Sequence, residues 1–202
     1  MAKKLTKGIK STRIIRKAEK NHKKPIVLLV TGTPCTGKTT LARFLAKKLV
    51  FEYLNVNKLV KEPANKVKLS AVFDKKRQCY IIDPKKLNRI LITLIKKAGK
   101  PQKAKKTIKG FVIDSLISHF LPCNYANLCL VCTCKLKVLK KRLQKRGYPS
   151  AKVRENLDAE IFEVCLIEAR EKGHRILIFD SSAGLKRFLS DAEKAVKKVL
   201  KL

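Results

Sequence analysis

Acidic side chains are scarce in this chain. Fifteen Asp and Glu stand against 49 Lys and Arg over 202 residues, a formal charge of +34. Carboxylates for metal binding or acid–base work must therefore come from a short list. No apolar run approaches the length of a membrane span. The charged N-terminus lacks the apolar stretch of a secretory signal and is sparse in Arg and Ser, which argues against a targeting peptide. Histidine is limited to His22, His119 and His174. The seven cysteines, an odd number without a secretory signal, read as reduced intracellular thiols. Cys129-x-x-Cys132-x-Cys134 does not complete a zinc site: on a strand Cys129 and Cys132 point to opposite faces, and no partner pair or nearby histidine closes a tetrahedron. These thiols read as buried small hydrophobes. No internal repeat is present.

Lysine is what the chain has in excess. Ten Lys or Arg against Glu19 give residues 1–24 a charge of +9, leaving +25 on the remainder, so the basic character is not confined to a tail. A second lysine-rich connection, residues 96–109, carries seven lysines around Gly99 and Pro101. Such a field favours a polyanion, RNA above all. A lysine-rich proteome would tilt every surface basic in the same way. Neither stretch contains an aromatic residue, so contact with RNA would run through phosphates and not through base stacking.

Apolar and turn patterns divide the chain into a basic arm, 1–24, expected to be flexible, and one α/β domain, 25–202. Strands are expected at Ile26–Val30, Phe51–Val56, Gly110–Asp114, Asn127–Cys134 and Arg175–Asp180. Helices alternate with them. One starts at Asp83-Pro84, with Asp83 as N-cap and Pro84 at the first helical position. Another ends at Gly147. A long helix capped by Ser150 is expected to reach Lys172, and the last helix to span 184–201. Residues 57–78 read as short helices and loops. The alternation predicts a parallel five-stranded sheet with helices on both faces.

The most informative stretch is Gly32-Thr33-Pro34-Cys35-Thr36-Gly37-Lys38-Thr39-Thr40. It follows an apolar strand and opens a helix, the context in which G-x-x-x-x-G-K-[ST] is a P-loop. Backbone N–H groups and the positive end of the helix meet a nucleotide's β-phosphate. Gly32 and Gly37 permit the angles and close approach this needs. Lys38 reaches the β- and γ-phosphates, and Thr39 offers its hydroxyl to Mg²⁺. The metal on ATP also needs a carboxylate. Asp114 and Asp180 both end apolar strands, and either could simply cap the next helix. Asp114 is favoured, because its strand comes where the neighbour of the P-loop strand is expected. Phosphoryl transfer further needs cations that follow the moving charge. Arg142 and Arg146 lie four apart on one helical face, the second beside Gly147, on a segment able to close over ATP; two solvated surface arginines would look the same in sequence. His119 could line the site or serve the core.

These residues resemble the archaeal-type and eukaryotic nuclear adenylate kinases, a group also described as small-ribosomal-subunit maturation factors. The likeness runs from about Ile26 to Ser182. It rests on the P-loop, Tyr53-Leu54-Asn55-Val56, Ile113-Asp114-Ser115, His119-Phe120-Leu121-Pro122, Arg142-Leu143-Gln144-Lys145-Arg146-Gly147-Tyr148 and Arg154-Glu155-Asn156-Leu157-Asp158-Ala159-Glu160-Ile161. The resemblance implies a P-loop NTPase fold of the nucleoside monophosphate kinase type, with an AMP-binding segment at about 55–83 and a lid at about 145–156. It implies ATP and Mg²⁺ as cofactors, AMP as substrate, and ATP contacts at Cys35, Gly37, Lys38, Thr39, Thr40 and Arg146. It also implies ATPase activity, a ribosomal protein of the small subunit and rRNA as partners, no membrane, a monomer, and a cytoplasmic location, nuclear if the source is eukaryotic. Four positions depart from the family pattern. Cys35 replaces a glycine, Leu116 a histidine two residues after the aspartate that is tied to ATPase function, Lys61 an arginine in the AMP segment, and Thr133 an arginine after the fourth strand.

Overall fold

The computed structural model describes residues 24–62, 68–75, 79–99 and 108–202. The basic arm, apart from Lys24, and most of the lysine-rich connection lie outside the described residues. Among the described residues no helix is long and apolar enough to cross a membrane.

Strand β1 (Ile26–Thr31) is buried on both faces beyond its first residue, as its unbroken apolar run requires. Its side chains alternate between two cores. Val27 and Leu29 pack with Val60 of α2 (Val56–Lys61), Leu87 and Leu91 of α3 (Pro84–Ala98), and Leu166 and Ala169 of α6 (Val164–Glu171). Leu28 and Val30 face the other way, onto Leu41 and Leu45 of α1 (Lys38–Leu49) and Phe188, Ala192 and Val196 of α7 (Leu185–Leu200). The remaining strands of the sheet are β2 (Glu52–Asn55), β5 (Gly110–Asp114), β6 (Leu128–Thr133) and β7 (Ile176–Asp180). All pairings are parallel and the order is β2-β5-β1-β6-β7. This is the five-stranded parallel sheet expected from the alternating pattern. Register puts Asp114 level with Val30 of β1 on one side and Asn55 of β2 on the other, so the acid arrives at the mouth of the P-loop. Asp180 ends the edge strand β7, where its carboxylate accepts the Ser182 N–H at 2.8 Å.

Three details differ from the sequence expectation. The long helix is two helices, α5 (Ser150–Ile161) and α6, separated at Phe162 and Glu163, the latter at φ +48°. α5 buries Val153 against Leu139 and Leu143 of α4 (Leu136–Lys145), whereas α6 buries Cys165, Leu166 and Ala169 toward the sheet. One straight helix cannot serve both faces. Ser150 is also the first residue of α5 and not its cap; Pro149 holds that place and no side chain caps the turn. Finally, β2 stops at Asn55 because the Asn55 side chain accepts the Lys58 N–H and starts α2 at once. Beyond it, β3 (Val72–Asp74) and β4 (Cys79–Ile81) form a small antiparallel ribbon outside the main sheet. Asp83 caps α3 as expected, accepting the Lys85 N–H at 2.8 Å with Pro84 in the first turn.

Candidate active site

The loop after β1 turns on its two glycines. Gly32 sits at φ +133°, and a Cβ there would stand 2.2 Å from the Cys132 carbonyl oxygen of β6. Gly37, at φ +92°, is the residue from which α1 starts. Between them Cys35 holds φ +68° with a Cβ present, a strain of about 1–2 kcal/mol that the surrounding bonds must offset. Those bonds are on hand. The Thr33 carbonyl accepts the Thr36 hydroxyl and the Lys38 ammonium, each at 2.8 Å. Lys38 therefore lies back along the loop it serves. Burial lowers its pKa, opposed by nearby groups that include Asp114. Thr39 and Thr40 follow at the exposed first turn of α1.

Asp114 is 3% exposed. Its Oδ2 accepts three donors at 2.8 Å: the Thr39 hydroxyl, the Tyr53 hydroxyl and the Asn55 amide. Asn55 also donates to the Tyr53 hydroxyl at 3.0 Å. Burial raises the Tyr53 pKa, so the phenol stays protonated and able to donate. The Thr39 hydroxyl and the Asp114 carboxylate are hard oxygen donors at the phosphate loop, the chemistry magnesium takes. The residues present thus fit that ion. Elsewhere, among the described residues, no group of three His, Cys, Asp or Glu could hold a metal.

The cations come from the hairpin of α4 and α5. Gly147, at φ +76°, turns the chain after α4. Tyr148, Val153 and Leu157 pack back on Leu139 and Leu143, and Cys35 of the phosphate loop joins the same cluster. Arg142 is tied down. It donates to the Ser181 hydroxyl at 2.7 Å, the Ser181 carbonyl at 3.0 Å and the Cys35 carbonyl at 3.4 Å. Arg146 is exposed, lies over the Tyr148 ring at 5.4 Å and donates to Cys35 Sγ at 3.8 Å. Both arginines thus address the loop at the same residue. A cleft of about 430 Å³, lined by Gly32, Thr33, Lys135 and Glu160 among others, touches the start of the loop but is lined by neither arginine.

Gly32, Cys35, Lys38, Thr39, Asp114, Arg142 and Arg146 gather around the loop, while the Asp180 carboxylate caps the turn at Ser182. His119 is a core residue: its ring meets the Thr31 hydroxyl and the Glu168 carboxylate, each at 2.8 Å, and burial lowers its pKa. Cys129 and Cys132 do face opposite cores, and burial pushes both thiols up to about 12. Of the departures from the family pattern, Lys61 ends α2, Thr133 ends β6 and Leu116 is exposed two residues beyond Asp114. The role of Tyr53 and Asn55 was not read from sequence. Their spacing of two on a strand puts both on one face, and only the pairing of β2 with β5 sets that face beside the acid.

A parallel sheet with the phosphate-loop strand at its centre, and a short hairpin carrying cations over that loop, defines a P-loop kinase. The solved shikimate kinase of Bacteroides thetaiotaomicron shares this fold, with a TM-score of 0.52 at 12% identity over 88% of this chain and 99% of that one. Residues 28–163 match the AAA domain family. The chain is 35% identical over 149 residues to the "Putative adenylate kinase" of Methanocaldococcus jannaschii, covering 74% of this chain and 75% of the relative. It is 36% identical over 145 residues to the "Adenylate kinase isoenzyme 6 homolog" of Caenorhabditis elegans, covering 71% and 72%. The chain belongs to this family of archaeal and eukaryotic adenylate kinases. It is accordingly a nucleotide kinase, a phosphotransferase of the nucleoside monophosphate kinase class.

Proposed function

We propose that the protein is an adenylate kinase, moving the γ-phosphoryl group of Mg·ATP to AMP and releasing two ADP. The observation that carries this reading is the convergence of Lys38, the Thr39–Asp114 pair and two hairpin arginines on one phosphate loop. The loop amides and the start of α1 would hold the β-phosphate. Lys38 would exchange the Thr33 carbonyl for phosphate oxygens. Burial disfavours its charge, and phosphates supply the negative partner that keeps its proton on. Thr39 and Asp114 would hold magnesium, which when bound neutralises charge on the β- and γ-oxygens. Arg142, fixed by Ser181 and Cys35, sets the base of the hairpin; Arg146 is free to follow the phosphoryl group as the hairpin closes and excludes water. No protein nucleophile is needed, because positioning and charge stabilisation suffice for in-line transfer. AMP as acceptor is supported by the names of the relatives. Phosphorus NMR with Mg·ATP tests the reading. ADP appearing only when AMP is added is the expected result. ADP and free phosphate without AMP would favour an ATPase instead.

The charge supports a second role beside the first, in maturation of the small ribosomal subunit with rRNA and a ribosomal protein as partners. A body at +25 has few acids to neutralise it, and self-repulsion on that scale favours an anionic partner. RNA affinity is expected to fall steeply with salt, with a slope of about −0.7 to −0.9 per phosphate neutralised. Deleting residues 1–24 is expected to flatten that slope while leaving AMP phosphorylation nearly unchanged. Equal slopes would make the arm a solvated tail.

A further inference from the structure

Asn55 uses both ends of one amide. Its Oδ1 accepts the Lys58 N–H at 2.9 Å and so caps α2, the first helix of the segment that the family resemblance implies for AMP. Its Nδ2 donates to Asp114 Oδ2 at 2.8 Å. The amide is planar and rigid, and its neighbours are fixed. Val56 and Val60 of α2 are buried in the core, Asn55 pairs in register with Asp114 across β2 and β5, and the Tyr53 hydroxyl braces the same contact. With Thr39, Tyr53 and Asn55 all on Oδ2, no described residue donates a hydrogen bond to Oδ1, which leaves that oxygen for the metal or its waters.

We propose that Asn55 is a positioning residue that couples the acceptor segment to the metal carboxylate. Acceptor binding at the segment that α2 begins bears on Asp114 through this amide, so acceptor and metal bind cooperatively. Linkage makes the effect reciprocal. The inference rests on the adenylate kinase reading and adds a route between its two substrates. It differs from a plain capping role in one testable respect. Ser is also a good N-cap, but its hydroxyl is too short to keep the bond to Asp114. Asn55→Ser therefore keeps the cap and loses the link, whereas Asn55→Ala loses both.

The test is Mn²⁺ binding to the full chain with β,γ-imido-ATP, whose γ-phosphoryl cannot be transferred, counted by electron paramagnetic resonance with and without AMP, alongside AMP phosphorylation and thermal melting. In the wild type, AMP is expected to tighten Mn²⁺ several-fold. Both variants are expected to bind Mn²⁺ about tenfold more weakly, as befits loss of a hydrogen bond to a charged group, and to lose the AMP effect. Only Asn55→Ala is expected to melt earlier. An AMP effect on Mn²⁺ that survives in Asn55→Ser, or a Ser variant that binds Mn²⁺ like the wild type, would overturn the coupling while AMP phosphorylation by the wild type still upheld the enzyme reading. A wild type that does not phosphorylate AMP would overturn both.

Discussion

The phosphate loop and the α4–α5 hairpin hold their charges in opposite ways. At the loop, Asp114 is 3% exposed with three donors on one oxygen, and Lys38 is bonded to the loop's own carbonyl. At the hairpin, Arg146 is exposed, and among the described residues its side chain makes one hydrogen bond, a 3.8 Å contact to the Cys35 thiol. The loop's groups are held in place before any substrate comes, and Lys38 has only to exchange the Thr33 carbonyl for phosphate oxygens. The hairpin is a set of groups free to arrive. Arg142 marks the border between them, on the hairpin by sequence but tied to the loop by its bond to Cys35 and to the turn after β7 by its bonds to Ser181. The lesson is that a cation's task follows from what holds it before the substrate comes.

The largest effect should come from the pre-aimed side. Lys38→Ala is expected to lower turnover at least about 100-fold, the scale of removing one preorganised donor. Thr36 still bonds to the Thr33 carbonyl, so the loop keeps its shape and melting should change little. Turnover within a few-fold of wild type in a steady-state assay would break the comparison at its root.

On the hairpin side, Arg146→Ala is expected to lower kcat about tenfold while ATP affinity, measured by calorimetry, changes far less, as the proposed arrival of Arg146 on closure requires. Arg142→Ala should behave differently and reduce thermal stability as well as kcat, since three bonds between the hairpin, the loop and the turn after β7 go with it. If both arginines give a pure loss of ATP affinity, the division between fixed and arriving cations is wrong.

The smallest effect concerns Leu116. Its carbonyl is held by the Thr31 hydroxyl at 2.8 Å and its side chain is exposed two residues past Asp114, so a new side chain there would stand on fixed backbone near the site. ATP hydrolysis without AMP is expected to be slow, and Leu116→His to raise it several-fold. Fast hydrolysis that the substitution leaves unchanged would show that position 116 does not govern water attack.

Sequence reading reached the parts of this site that are local. The P-loop is contiguous, with its glycines, lysine and threonine needing only a strand before and a helix after. Asp114 could be singled out because acids are few and it ends a buried run. The helix start at Asp83-Pro84 is equally local, a cap and a ring that fit one turn. Tyr53 and Asn55 were out of reach, since nothing along β2 says that β5, more than fifty residues later, will lie beside it in register. The break at Phe162 and Glu163 was hidden for a related reason. The helical spacing of apolar residues continues through it, and only the two different surfaces that α5 and α6 must cover force the turn.

What the sequence alone determined, then, was the alternation of the five sheet strands with helices, the phosphate loop and the scarcity of acids that makes Asp114 conspicuous. These depend on backbone preferences and side-chain periodicity within a few residues. The tertiary structure decided which oxygen of Asp114 is occupied, that one amide bridges the start of α2 and that carboxylate, and which arginine is fixed and which exposed. Those outcomes depend on parallel strand pairing and packing between distant segments, where a hydrogen bond exists only once the sheet has set its register.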